Sequence, residues 1–213
     1  MKEFDPRILE KLRPHLAVCE WGRADAETII ADIILCRKEK LSAISALATA
    51  LPVLDNLADK IKVFALIHGT DKLSEIAARK NAATQLFLRP GKIAETPMPD
   101  MDASPEVILS FALKDIAHMD WGQIMLAENK FGASGFLFID ARGKYMHRFY
   151  DFLTLVRGGF AGELSYCVGA NDVEKLEAAR RLVETIRPEL LSKFRLFVTK
   201  DFFQNLDNGA NPI

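Results

Sequence analysis

Residues 135–153 read GFLFIDARGKYMHRFYDFL: an apolar run from Gly135 to Asp140, a charged turn around Gly143, then an aromatic-rich run from Tyr145 to Leu153. Two strand-like runs joined by a short glycine turn predict a β-hairpin. On this reading Tyr145, His147 and Phe149 share one face and Met146, Arg148 and Tyr150 the other. Neither face is wholly polar, so the sheet is expected to be covered on both sides.

Upstream, the run Ile61 to Ile67 has β character, Leu73 to Ala83 is helical, and Gln85 to Leu88 reads as another strand. Such a strand-helix-strand unit places its strands parallel in one sheet. Ser104-Pro105-Glu106 carries helix-start chemistry, with Val107, Ile108, Phe111 and Ile116 as the buried face of the helix it would open. Downstream, Glu163 to Val168 reads as a strand. Val173, Leu176, Ala179, Val183 and Ile186 follow at helical period behind a capping box at Asn171 to Glu174, and Phe194 to Thr199 is the last strand.

From Asp5 to about Lys60 the pattern reads as helical. Asp25 and Glu27 suit a helix start, Arg37 and Lys38 a helix end, and Leu41, Ile44, Leu47 and Leu51 recur at helical spacing among alanines. The expectation is therefore an α/β or α+β fold: a mixed β-sheet with flanking helices, preceded by an N-terminal helical segment. Residues 1–60 form that segment, 61–203 the α/β domain, and 204–213 a flexible tail.

The 213 residues carry a net charge of −1 with 49% hydrophobic residues and a pI near 6.4. That balance argues against a nucleic-acid or anionic-membrane partner, which requires a basic face. No apolar run is long enough to cross a bilayer, and the first residues lack the pattern of a secretory signal, so the expected location is the cytoplasm. Cys19, Cys36 and Cys167 are far apart, with no metal-ligand spacing; neither a metal nor a cofactor is expected.

Open α/β sheets bind ligands beyond the carboxyl ends of their strands. His68, Thr70 and Asp71 follow the first strand of the parallel pair, and Arg89 and Lys92 follow the second, a set suited to a small anionic ligand. Arg157 precedes Gly158-Gly159-Phe160-Ala161-Gly162, a stretch similar to the pyrophosphate-binding turn of acyl-coenzyme-A N-acetyltransferases. It departs from that turn where Phe160 replaces a glycine and a strand replaces the helix. Asp115 and His118, three apart on a helix, form a secondary polar pair in which a carboxylate orients an imidazole. The element order also resembles thioredoxin-like proteins, but the first turn, HGTDK, has no cysteine, so that family's redox chemistry has no residues to run on.

These features point to a non-catalytic regulatory or ligand-sensing interaction module of the cytoplasm, a homodimer through its N-terminal helices. The alternative is an enzyme, such as a group transferase, acting on a small anionic substrate.

Overall fold

The computed structural model describes residues 6–22, 25–54, 61–67, 82–96, 106–116, 121–155 and 160–207. The stretch at 135–153 is a strand, a turn and a helix. β6 (Gly135–Asp140) ends at a buried aspartate whose two carboxylate oxygens accept the backbone N–H groups of Lys144 at 3.0 Å and Tyr145 at 2.8 Å. Gly143, at φ +60°, completes the turn. The next segment is a helix, Met146–Leu155, because Phe149, Phe152 and Leu153 recur at the spacing of a single helical face, and all three are buried. The hairpin is thereby corrected: the helical period, anchored by Asp140, overrides the β propensity of the aromatic residues.

The remaining strands are β1 (Leu16–Glu20), β2 (Ala43–Leu47), β3 (Lys62–Ile67), β4 (Ala82–Phe87), β5 (Val107–Ala112), β7 (Glu163–Val168) and β8 (Phe194–Val198). Each pairs in parallel with the next, and β8 pairs with β1, closing a barrel in sequence order. The helices are α1 (Pro6–Leu12), α2 (Ala26–Lys38), α3 (Leu51–Leu54), α4 (Leu113–Ile116), α5 (Trp121–Phe131), α6 (the Met146–Leu155 helix), α7 (Val173–Ile186) and α8 (Asp201–Asp207). A closed eight-stranded parallel barrel flanked by helices is the TIM-barrel arrangement.

This corrects the mixed sheet and the N-terminal helical segment. Residues 16–20 and 43–47 are barrel strands, and Val107–Ala112 is a strand instead of a helix. β2 reads AISAL, whose small residues fit both a narrow helix and a crowded barrel interior; closure of the sheet decides in favour of the strand. Helix α2 forms as expected. Asp25 caps it by accepting from the Thr28 N–H at 2.8 Å, and Ile29, Ile33 and Cys36 pack inward. Asp172, not Asn171, caps α7, through the Lys175 N–H at 3.2 Å.

The core has two shells. Outside the barrel, Phe136 and Phe138 of β6 meet Phe149, Phe152 and Phe160, with ring centroids as close as 4.5 Å between Phe138 and Phe152. Inside, alternate residues of each strand stack in levels drawn from every second strand. The register places Ala17, Phe64, Ile108 and Ser165 at one level and Ser45, Gln85, Leu137 and Phe197 at the next toward the carboxyl ends. Cys19, Leu66, Ser110 and Cys167 form the level above, beneath Leu47, Phe87, Ile139 and Thr199.

The amino-terminal end of the interior is charged. Lys62 Nζ reaches Glu106 at 2.6 Å and Glu163 at 2.7 Å, and Arg195 Nη1 stands 3.0 Å from Glu163, close enough for charge attraction but off the hydrogen-bond axis. Lys62 and Arg195 both lie over the Phe64 ring, at 5.3 and 5.5 Å. These groups plug the barrel from below.

Candidate active site at the carboxyl ends of the strands

Barrel enzymes place their chemistry at the carboxyl-terminal mouth, on the loops that follow the strands. At that mouth a cavity of about 430 Å³ opens among the ends of β1, β6, β7 and β8. Cys19 and Cys167 are at its floor, Trp21 and Ile139 on its walls, and Ala141, Gly169, Asn171, Thr199, Asp201 and Asn205 around its rim.

The rim is held by side-chain bonds between loops. Asn171 Nδ2 donates to Thr199 Oγ1 at 2.8 Å, while Asn171 Oδ1 accepts from the Thr199 N–H at 3.0 Å, tying the loop after β7 to the end of β8. Asn171 adopts φ +51°, a left-handed conformation that asparagine tolerates better than most residues. Because Thr199 Oγ1 is committed as an acceptor, its own proton is free to donate to a ligand. Gly169 lets the loops after β6 and β7 touch: a Cβ there would lie 2.0 Å from the Ala141 carbonyl oxygen.

The neighbouring Cys167 thiol and burial together push the Cys19 thiol well above its ordinary range. A thiol so held is a poor nucleophile. β8 lies between their strands, so the Cα atoms are separated by two strand spacings, roughly 9 Å, beyond the ~7 Å limit for a disulfide.

Behind the mouth, Asp32 of α2 is 1% exposed, and neither carboxylate oxygen has a hydrogen-bond partner among the described residues. Burial raises its pKa to about 6, against the pull of Lys200, with Glu20 adding to the rise. Burial and Asp32 together push the Cys36 thiol up to about 12.

The candidates expected from sequence lie elsewhere. Arg89 and Lys92 follow β4, both exposed, with Lys92 paired to Glu95 at 2.5 Å; neither lines the cavity. Lys130 of α5 donates to the carbonyls of Ile93, Ala94 and Thr96 at 2.8–2.9 Å, holding the first part of the long loop after β4 against the barrel. Asp115 sits half-buried in α4, away from the cavity. His68, Thr70, Asp71, His118 and Arg157 lie outside the described residues. Trp21, Thr199, Asp201 and Asn205 were not singled out from sequence; Trp21 and Thr199 directly follow β1 and β8 and Asp201 and Asn205 lie in α8 just beyond β8, a position visible only once eight strands are counted. No helix among the described residues is long and apolar enough to cross a membrane.

No protein-family model and no curated protein matches the chain. Among solved structures, a candidate deoxyribose-phosphate aldolase from Coccidioides immitis superposes with a TM-score of 0.57 at 11% identity, over 89% of this chain and 83% of that one. A candidate isomerase from Sinorhizobium meliloti, in an open-loop conformation, gives a TM-score of 0.50 at 9% identity over 89% of this chain and 51% of that one, so this chain spans about half its length. Both neighbours are candidate enzymes, which overturns the expected regulatory, ligand-sensing or protein-interaction module. At these identities the likeness establishes the barrel fold.

Proposed function

We propose that this chain is an enzyme that transfers a proton at the carbon beside a carbonyl of a small anionic substrate, in the cavity at the carboxyl ends of β1, β6, β7 and β8. The observation that carries the reading is the rim itself, where a carboxylate residue, Asp201, lines the same cavity as the Asn171–Thr199 pair. Such a carboxylate takes the carbon-bound proton and returns it to the neighbouring atom. The Thr199 hydroxyl and the second Asn171 amide hydrogen donate to the carbonyl oxygen as it gains negative charge.

Arg142 and Lys144 after β6 and Lys200 after β8 flank this mouth, and they support an anionic group on the substrate. The neighbours named as an aldolase and an isomerase support carbonyl chemistry in general. An imine mechanism requires a desolvated lysine at the cavity. Among the described residues no lysine lines it, and Lys62, at an inward barrel position, is at the opposite end in ion pairs. A cytoplasmic setting is supported by three buried free cysteines. Self-association through the first helices is supported by Ile30 and Ile34, 38% and 60% exposed on α2; a monomer by light scattering at high concentration would refute it.

The test is solvent exchange. Glyceraldehyde and dihydroxyacetone, free and phosphorylated, are incubated with the protein in heavy water and followed by proton NMR. Loss of the signal beside the carbonyl, slowed roughly a hundredfold in Asp201→Asn, is the expected result. Exchange at the buffer rate, or exchange indifferent to Asp201→Asn, overturns the proposal.

A further inference from the structure

We infer that the cavity selects an aryl-bearing 2-oxo acid, a substrate whose planar apolar body lies against Trp21 while its carbonyl meets the Asn171–Thr199 pair. The inference rests on the proton-transfer reading above and names the substrate class of that same site.

The lining is divided by chemistry. Its polar members, Asn171, Thr199, Asp201 and Asn205, all come from the segments after β7 and β8. Trp21 follows β1 and Ile139 belongs to β6, the two strands that flank that pair, and both side chains are half-buried against the apolar interior. The floor is Cys19 and Cys167, and the Cys167 thiol and burial keep Cys19 protonated and neutral. Among the described residues that line the cavity, Asp201 alone carries a charge.

Trp21 offers that space no hydrogen bond. Its one polar atom, Nε1, donates to Ser45 Oγ at 2.8 Å, and Ser45 Oγ donates in turn to Gln85 Oε1 at 2.5 Å. Ser45 and Gln85 are 0% exposed, so this chain of bonds is anchored in the barrel interior and fixes the indole from below. An indole held this way is a rigid apolar surface at the mouth. An aromatic ring gains more on it than an aliphatic body of equal area, through offset stacking or edge contact of the two π-systems. A hydroxylated chain gains little there, because the indole has no donor left for it.

Size and charge agree with such a substrate. About 430 Å³ falls within the range of pockets that enclose drug-sized ligands, more room than a triose fills. Arg142, Lys144 and Lys200 outside the cavity suit the carboxylate of the acid, and the like charge of Asp201 keeps that carboxylate toward them. The carbon between ring and carbonyl carries the labile hydrogen. Asp201 takes that proton, the C–H electron pair becomes the carbon–carbon double bond, and the carbonyl π pair moves to the oxygen facing Asn171 and Thr199. Return of the proton to that oxygen gives the enol, which conjugation with the ring stabilises.

The test measures dissociation constants by ligand-observed proton NMR for phenylpyruvate, 4-methyl-2-oxopentanoate and pyruvate, which share one head and differ in body. Phenylpyruvate is expected to bind about tenfold or more tighter than pyruvate, with the branched acid between them. Trp21→Leu is expected to cut the preference for phenylpyruvate to that of the branched acid, and Ile139→Ala to weaken both apolar-bodied acids about threefold. Phenylpyruvate bound no more tightly than the branched acid, a preference that survives Trp21→Leu, unchanged phenylpyruvate affinity in Ile139→Ala, or no binding of any of the three overturns the inference. If trioses exchange their protons in an Asp201-dependent way but phenylpyruvate is not preferred, the substrate class fails alone. If phenylpyruvate is preferred through Trp21 but its methylene protons exchange at the buffer rate, the proton-transfer reading fails alone.

Discussion

Asp32 supplies a quantitative test of how this barrel tolerates charge. Its carboxyl is 1% exposed and lacks hydrogen-bond partners among the described residues, and burial lifts its pKa from the ordinary 3.8 to about 6. Below about pH 4 the group is protonated in both folded and unfolded chains and contributes nothing. Between about pH 4 and pH 6 the folded chain holds the proton that the unfolded chain releases, so stability falls as pH rises; above pH 6 the whole penalty is present. A shift of about two units corresponds to about 3 kcal/mol at most. Asp32→Asn keeps the shape and removes the charge, so it is expected to gain about 1–3 kcal/mol at pH 7.5, roughly a third of that at pH 4.5, and almost nothing at about pH 3. At about 2–4 °C per kcal/mol for a chain of this size, the melting temperature rises several degrees at the higher pH. Urea denaturation of both proteins across pH 4 to 8 measures this directly. A stability difference between variant and parent that does not grow from pH 4 to 6, or an Asp32→Asn variant less stable at pH 7.5 than its parent, would refute the reasoning.

Two further perturbations probe the two ends of the barrel. Lys62→Met leaves Glu106 and Glu163 without their shared cation in a half-buried site, and is expected to lower stability by about 2 kcal/mol, less than the loss for a fully buried pair, as read from the urea midpoint. Gly169→Ala drives a methyl into the Ala141 carbonyl and separates the loops after β6 and β7. It should cost about 2 kcal/mol and weaken glyceraldehyde binding at the rim; an alanine variant with unchanged melting temperature would show that the loops can part freely.

The elements legible in the sequence were those with one dominant period. The run Val173 to Ile186 reads as a helix because its apolar residues recur on one face, and Glu163 to Val168 and Phe194 to Thr199 read as strands because they are short apolar runs between turns, the last ending in the structure at Val198. β1 and β2 were missed for a physical reason. Strands of a closed parallel barrel are buried on both faces and lose the alternation that marks a surface strand, and the alanines of Ala43–Leu47 favour a helix locally. Val107–Ala112 was masked by Ser104-Pro105-Glu106, whose helix-start chemistry is real but local. At 135–153 the first half was legible and the second was not, because the decisive contact is Asp140 folding back on the Lys144 and Tyr145 amides. The cavity residues come from four separated strand ends, and only closure of the sheet brings Cys19 and Trp21 beside Cys167, Asn171 and Thr199.

That closure also orders events during synthesis. The seam between Leu16–Glu20 and Phe194–Val198 joins the first strand to the last, so a nascent chain cannot seal it until the final strand has left the ribosome. Until then the first and seventh strands each present an unpaired apolar edge, the kind of surface that recruits other chains. The late-emerging strand that completes the rim with Thr199 therefore also withdraws both edges from the cell, and loss of that strand would expose the protein to aggregation as well as remove part of its cavity.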